Sequence, residues 1–60
     1  MTYREFKDSE FAELMPNGYE LINYDTDEEL TGGSRYDDWM IVCIAGSSSD
    51  FIPAIYISEN

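Results

Sequence analysis

The chain has 60 residues, with 13 Asp and Glu against 3 Lys and Arg, and its formal net charge is -10. That length allows one domain, over residues 1–60. The charge excludes direct binding to nucleic acid or to an anionic membrane, because both need cations on the protein. The apolar fraction of 43% and the aromatic fraction of 15% are too high for a disordered chain. We therefore expect one small folded domain whose complementary partners are basic.

Targeting signals and redox-active cysteines are not expected. No stretch has the pattern of a signal peptide, and no apolar run approaches the ~20 residues of a membrane-spanning helix. The single cysteine, Cys43, lies inside an apolar run and cannot form an internal disulfide. It is predicted to be a buried structural thiol in a reducing compartment. These features together predict a cytoplasmic protein.

The N-terminal segment Met1–Met15 predicts the only helix. Thr2 and Glu5 have the spacing of a capping box, in which each side chain binds the backbone amide of the other residue. Pro16-Asn17-Gly18 is expected to end the helix, since proline breaks it and Asn-Gly tolerates positive φ. The apolar pattern is loose, so a shorter helix that begins after Asp8, preceded by an extended arm, is a second interpretation.

Three later stretches are rich in β-branched and aromatic residues and predict strands. Trp39–Ala45 is the longest unbroken apolar run and is predicted to be the central strand. Pro53 lacks an amide hydrogen, which favours an edge position for the last strand or outward-facing amides. Gly46–Asp50 is predicted to be a turn. The three predicted strands are Tyr19–Tyr24, Trp39–Ala45 and Phe51–Ser58.

The end of the first strand is ambiguous. The acidic segment that follows it either extends the strand, with Thr31–Ser34 as a hairpin tip, or belongs to a long loop. Alternation along the strand places Tyr19 and Leu21 on one side and Ile22 and Tyr24 on the other.

The predicted fold class is α+β, an N-terminal helix packed on a three-stranded antiparallel meander. Connections this short do not allow parallel crossovers. One helix covers only one face of a sheet, and strict alternation places Met40, Val42 and Ile44 on the face opposite to Ile41 and Cys43. Substantial apolar surface is therefore expected to stay uncovered, and we predict that it packs on a second copy, as a homodimer, or on a partner.

No motif for catalysis or metal binding is found. The chain has no histidine, the commonest general base and zinc ligand, and its paired glycines lack a phosphate-loop spacing. Asp25, Asp27 and Glu29 match the start of an EF-hand loop, but Leu30 and Tyr36 stand where that loop needs glycine and a carboxylate. We predict a protein that is not an enzyme and has no cofactor and no dedicated metal site.

The acidic residues are the remaining candidate functional feature. If the first two strands pair across Thr31–Ser34, Asp25–Glu29 comes close to Asp37 and Asp38, and such crowding costs stability. A row of carboxylates can imitate duplex DNA, which carries one negative charge per ~1.7 Å, and aromatic residues among them can anchor an interface. The predicted partner-binding residues are Asp25, Asp27, Glu28, Glu29, Tyr36, Asp37, Asp38 and Trp39.

In size and charge the chain resembles the small acidic proteins with which phages and mobile elements block host nucleic-acid enzymes, including DNA mimics that inhibit restriction and CRISPR systems. The resemblance implies an inhibitor that docks on a basic nucleic-acid-binding protein, in the host cytoplasm if the protein is phage-encoded. A small oligomeric assembly module that uses the uncovered apolar face is the second hypothesis. Two plainer origins of the acids stay open: hydration of the surface alone, and an acid-rich proteome adapted to high salt.

Overall fold

A computed structural model of the protein describes residues 1–15, 18–31, 33–46 and 52–59. The predicted Pro16-Asn17 helix stop, Gly32, the serine turn at 47–50 and Phe51 lie outside the described residues. The predicted α+β class is confirmed. The elements are α1 (Tyr3–Lys7), α2 (Glu10–Glu13), β1 (Glu20–Asn23), β2 (Glu29–Leu30), a 3-10 turn (Ser34–Tyr36), β3 (Met40–Ala45) and β4 (Ala54–Ser58). None of the helices in these ranges is both long and apolar enough to span a membrane.

The N-terminal segment forms two helices, so the prediction of one helix over Met1–Met15 is wrong. The capping box is confirmed: the Thr2 hydroxyl accepts the Glu5 amide, and the Glu5 carboxylate accepts the Thr2 amide at 2.8 Å. Ser9 interrupts the helix because its backbone is extended (φ -91°, ψ 168°). Its hydroxyl donates to the Phe6 carbonyl oxygen at 2.6 Å, and its own amide donates to the same oxygen at 3.1 Å, which closes the end of α1.

The sheet has the strand order β2-β1-β4-β3, so β4 is internal and β3 lies at an edge. β4 pairs antiparallel with β3 and parallel with β1, whereas β1 and β2 are antiparallel. The predicted three-stranded antiparallel meander centred on Trp39–Ala45 is therefore wrong. Short connections prevent parallel pairing only of consecutive strands, and two further strands lie between β1 and β4 in the chain. Pro53 is compatible with an internal strand because it precedes β4, where its carbonyl accepts the Glu20 amide at 2.9 Å.

The N-terminus runs beside the first half of β3. The Ile41 amide donates to the Met1 carbonyl and the Tyr3 amide to the Trp39 carbonyl, both at 2.8 Å, and Thr2 forms an antiparallel bridge with Met40. An extended arm therefore exists, but it precedes α1 and does not replace it.

One face of the sheet, here called the helical face, carries the core. Phe6 packs edge to face on Tyr19 with ring centroids 5.3 Å apart, and the hydroxyls of Tyr3 and Tyr19 are hydrogen-bonded at 2.9 Å. Burial, together with this hydrogen bond, raises the pKa of Tyr19. Each fully buried aromatic or aliphatic side chain stabilises the fold by about 1.5–3 kcal/mol. The buried residues are Tyr3, Phe6, Leu21, Ile55 and Ile57.

The opposite side of the sheet, here called the outer face, has no helix over it in the described part of the chain. Side chains alternate along a strand, so the burial of Ile55 and Ile57 places Tyr56 on the outer face. Its cross-strand partners Ile22 and Cys43 share that face. The outer face is the uncovered apolar surface that the sequence predicts, although its composition differs from the prediction.

A β-bulge in β3 changes which residues share a face. The register shifts between Ile41 and Cys43, so Val42 is an extra residue without a partner in β4. The predicted grouping of Met40, Val42 and Ile44 is therefore wrong: Met40 lies on the outer face with Cys43, whereas Ile44 pairs with Ile55 of the helical face.

Candidate protein-binding site

Asn23, the last residue of β1, organises the turn that follows it. Its side-chain oxygen accepts the amides of Asp25 at 2.9 Å and Thr26 at 3.3 Å. Its backbone closes the turn, because its carbonyl accepts the Asp27 amide at 2.7 Å and its amide donates to the Glu28 carbonyl at 2.8 Å. Asn is favoured at such positions because its short side chain reaches the amides two residues on. The turn therefore has a defined backbone.

Asp27, within this turn, has a left-handed backbone with a φ of 62°. A left-handed backbone costs an ordinary L residue roughly 1–2 kcal/mol, and Asp and Asn tolerate it better than most. The carboxylates that the turn presents are all exposed. We call the segment Asp25–Glu29 the acidic turn.

Residues 24–28 connect β1 to β2 as a hairpin, and the acidic turn covers most of this connection and the first residue of β2. The first strand does end near Tyr24, because β1 stops at Asn23, but the long loop of that alternative is wrong because β2 follows at Glu29. The predicted pairing of the first two strands across Thr31–Ser34 is not formed, since β3 pairs with β4 and not with β1. The sequence predicted that this pairing would bring Asp25–Glu29 close to Asp37 and Asp38. Because β1 and β3 are not paired, strand pairing does not bring the two acidic segments together.

Asp37 and Asp38 lie beside α1 and face cations. Lys7 Nζ donates to Asp37 Oδ1 at 2.5 Å, and Arg4 Nε lies 3.7 Å from Asp37 Oδ2. The hydrogen bond from Lys7, with the charges of Lys7 and Arg4, lowers the pKa of Asp37 below its usual value. Arg4 Nη2 is 3.8 Å from Asp38 Oδ1, whose side chain is 94% exposed. This acidic pair is therefore partly neutralised within the protein.

The distribution of cations leaves the acidic turn uncompensated. Every ion pair in the described ranges involves Asp37 or Asp38. The third basic residue, Arg35, lies over the ring of Tyr36 with its guanidinium carbon 5.8 Å from the centroid. The three basic side chains of the chain thus contact Asp37, Asp38 or the ring of Tyr36, and none of these contacts includes an acid of the acidic turn.

The two predicted aromatic anchors are half-buried. Tyr36 and Trp39 meet edge to face with centroids 5.0 Å apart, and both pack against the core cluster. Part of each ring therefore contributes to folding, and only the remaining part is open to a partner.

The outer face carries aromatic residues that are absent from the predicted binding set. Tyr24 and Tyr56 meet edge to face, with centroids 6.4 Å apart and rings at 87°. The alternation along Tyr19–Tyr24 does place Tyr24 and Ile22 away from the core, so the signal for half of this cluster was present in the sequence. The sequence could not place Tyr56 beside Tyr24, because their proximity depends on the parallel pairing of β1 with β4.

Cys43 is exposed, so the prediction of a buried thiol is wrong. The prediction assumed a central strand, but β3 is an edge strand and Cys43 is on the uncovered outer face. Within residues 1–15, 18–31, 33–46 and 52–59, no three residues of the types His, Cys, Asp and Glu come together as a metal site, and the structure shows no pocket there.

No protein-family model, curated protein or solved structure matches this chain.

Proposed function

We propose that the protein is a small acidic inhibitor that docks on the basic nucleic-acid-binding surface of a host enzyme. The observation that supports this best is the uneven compensation of charge. Arg4 and Lys7 face Asp37 and Asp38, whereas the exposed carboxylates of the acidic turn have no ion-pair partner among the described residues.

The geometry of the turn adds to this argument. Like charges placed next to each other destabilise a fold, and the left-handed backbone at Asp27 adds a further cost. A turn that holds carboxylates in this way lowers stability in isolation, and a cationic surface that received them would remove the repulsion. In this proposal Asp25, Asp27, Glu28 and Glu29 make the direct contacts.

The other predicted residues have a subordinate role in the proposal. Asp37 and Asp38 add long-range attraction that their own cations reduce, and the open edges of Tyr36 and Trp39 border the contact. Charge steering of this kind gives fast association that slows steeply as salt rises.

The test is an affinity capture from a nucleic-acid-depleted host-cell lysate with three immobilised proteins. They are the wild type, the triple variant Asp27→Asn/Glu28→Gln/Glu29→Gln, and the control Asp8→Asn/Glu10→Gln/Glu13→Gln, which loses the same three charges around α2. We expect a basic nucleic-acid-binding protein on the wild type and on the control, released at moderate salt, and little of it on the turn variant.

Competition then tests mimicry. Duplex DNA added to the captured partner should displace it from the wild-type protein if both use one surface. Equal capture by the turn variant and the control would show that net charge, and not the acidic turn, is responsible. A partner that binds DNA and the protein together would contradict mimicry.

A second candidate function, assembly through apolar sheet surface, is favoured by the exposure of β3. Met40, Val42 and Ile44 are 40%, 44% and 45% exposed on an edge strand. Light scattering should then show oligomers that grow with concentration, and Val42→Lys should return the protein to a monomer. A monomer at every concentration, with no partner present, would rule this function out.

A further inference from the structure

We propose that the outer face is a second contact surface, continuous with the acidic turn, which receives an apolar patch bordered by Lys and Arg on the same basic partner. This inference rests on the proposed function for the sign of the partner's charge. It goes beyond that function because it proposes that apolar residues contribute much of the binding energy. These residues cannot be found from the net charge of the protein.

The outer face has the composition of an interface centre. Tyr24 is 54% exposed and Met40 is 40% exposed, and Tyr and Met are enriched where proteins bind one another. Tyr56 stands between them in the sheet, paired with Ile22 on one side and Cys43 on the other. The apolar residues of this face are Ile22, Tyr24, Met40, Cys43, Ala45, Ala54 and Tyr56.

The chain itself and one hydrogen bond join this face to the acidic turn. Tyr24, the outer-face residue directly before the turn, packs its ring edge to face on Tyr56 of β4. Ser58, at the end of the same strand, donates from its hydroxyl to Asp25 Oδ2 at 2.9 Å. The turn is thus held against the outer face by residues of β4, and a partner that reaches the carboxylates also lies beside the tyrosines.

Carboxylates border the apolar centre. Glu20 pairs with Ala54 and Glu29 pairs with Ile22, which places both on the outer face, and Asp25 binds Ser58 at its end. An apolar centre with a polar border is the usual anatomy of a protein interface. Here the border is negative, so the complementary surface has a positive border.

The charge of this border argues against a second copy as the occupant. Two outer faces packed together would bring Glu20, Asp25 and Glu29 of one copy close to the same acids of the other, in a pair that doubles a net charge of -10. Like charges that are desolvated across an interface oppose association. A partner with Lys and Arg around an apolar patch meets no such cost.

The size of a stable contact also requires more than the turn. A standard interface buries about 800 Å² on each partner, which is roughly a fifth of the 4223 Å² surface of this chain. The acidic turn is a few residues at one end of the sheet, whereas the turn and the outer face together form one side of a molecule that measures 29 × 24 × 17 Å. A contact of about 800 Å² on this protein therefore needs the outer face as well as the acidic turn.

Cys43 allows a direct test, because it is the only cysteine and lies on the outer face. The probes are an amphipathic Leu–Lys peptide and a Ser–Lys peptide of equal length and charge. We expect both to bind in a salt-sensitive manner, the Leu–Lys peptide about tenfold more tightly. Only the Leu–Lys peptide should slow the alkylation of Cys43 by iodoacetamide.

Two matched substitutions locate the apolar contact. Tyr24→Ser removes an exposed ring from the outer face, and Leu14→Ser removes a side chain that is 75% exposed after α2. Calorimetry should show that Tyr24→Ser brings the affinity for the Leu–Lys peptide down to that for the Ser–Lys peptide, and that Leu14→Ser changes neither. Circular dichroism checks that both variants are folded, and the alkylation experiment needs no variant.

The outcomes separate this inference from the proposed function. Equal alkylation of Cys43 with both peptides, or equal effects of Tyr24→Ser and Leu14→Ser, would overturn the outer-face contact while leaving the acidic turn intact. Binding of the Ser–Lys peptide that survives Asp27→Asn/Glu28→Gln/Glu29→Gln would overturn the acidic turn. Alkylation that slows with protein concentration alone would show that a second copy covers the face, and would also overturn the inference.

Discussion

Lys7 donates to Asp37 across thirty residues of sequence, and this pair fastens α1 to the segment that leads into β3. The same ammonium group lies 4.8 Å from the centroid of the Tyr3 ring, a cation–π distance. The only lysine of the chain therefore serves the fold, and no ion pair among the described residues includes an acid of the acidic turn.

The Lys7–Asp37 pair should make stability fall in acid. The hydrogen bond from Lys7 and the nearby charges lower the pKa of folded Asp37 below its ordinary value of 3.8, so protons bind the unfolded state more readily. The pair contributes its full stabilisation at pH values above the pKa of unfolded Asp37. This stabilisation is lost as the pH falls through the lowered pKa of folded Asp37. Urea midpoints measured downward from about pH 5 should therefore fall less steeply for Asp37→Asn than for the wild type.

Asp38→Asn is the control for that titration, because its side chain is 94% exposed and its contact with Arg4 is long. Asp38→Asn removes the same charge but leaves the Lys7–Asp37 pair in place, so its urea midpoint should fall with decreasing pH as that of the wild type does. Identical slopes for wild type and Asp37→Asn would mean that the Lys7 contact does not persist in solution.

The left-handed backbone at Asp27 predicts an order of stability among substitutions there. Asp27→Gly should be the most stable, Asp27→Asn next and Asp27→Ala least, with about 1 kcal/mol between Gly and Ala. All three remove the same charge, so the order reports the backbone alone. Urea unfolding measures it. An alanine variant as stable as the glycine variant would contradict a positive φ at this position.

The two phenylalanines of the N-terminal segment should differ sharply. Phe6 is fully buried and Phe11 is 51% exposed. Phe6→Ala should cost about 3–5 kcal/mol, which approaches the whole stability expected of so small a domain. Phe11→Ala should cost about 1 kcal/mol or less. The fluorescence of Trp39, which packs against the core, follows unfolding in urea, and similar losses for both variants would show that α1 and α2 are placed wrongly.

The exposure of Cys43 has a simple chemical readout. In the native protein the thiol should react with Ellman's reagent nearly as fast as in denaturant, because it is exposed on an edge strand. Ile44→Thr changes the adjacent side chain on the helical face without adding a charge, and it should leave that rate unchanged. A thiol that reacts only as the protein unfolds would restore the buried interpretation of β3.

The sequence carries the local features of this fold well. The capping box at Thr2 and Glu5 and the alternation of Leu21 against Ile22 are local patterns, and both are confirmed. The position of β3 is not a local property. An apolar run is compatible with an internal strand and with an edge strand that faces a partner, and the parallel pairing of β1 with β4 decides between them.

The β-bulge in β3 and the neutralisation of some acids by cations could not be predicted from the sequence for a similar reason. One extra residue at Val42 reverses the alternation in the middle of β3, and nothing in the composition of the strand marks it. The acidic segments are obvious in the sequence, but which of them is neutralised depends on contacts between residues 4–7 and 37–38. The predicted binding residues remain a prediction, and the outer-face tyrosines extend them.

The internal position of β4 also governs when the chain can fold. β1 at residues 20–23 finds its parallel partner only at residues 54–57, so more than half of the chain must be closed into a loop before the sheet is complete. Contacts of such long sequence separation slow folding. Ile55 and Ile57 belong to β4, so the buried core is incomplete until the chain has been synthesised through that strand. Until then β3 has no strand partner and β1 is paired only with β2, and unpaired strand edges of this kind make a chain prone to aggregation.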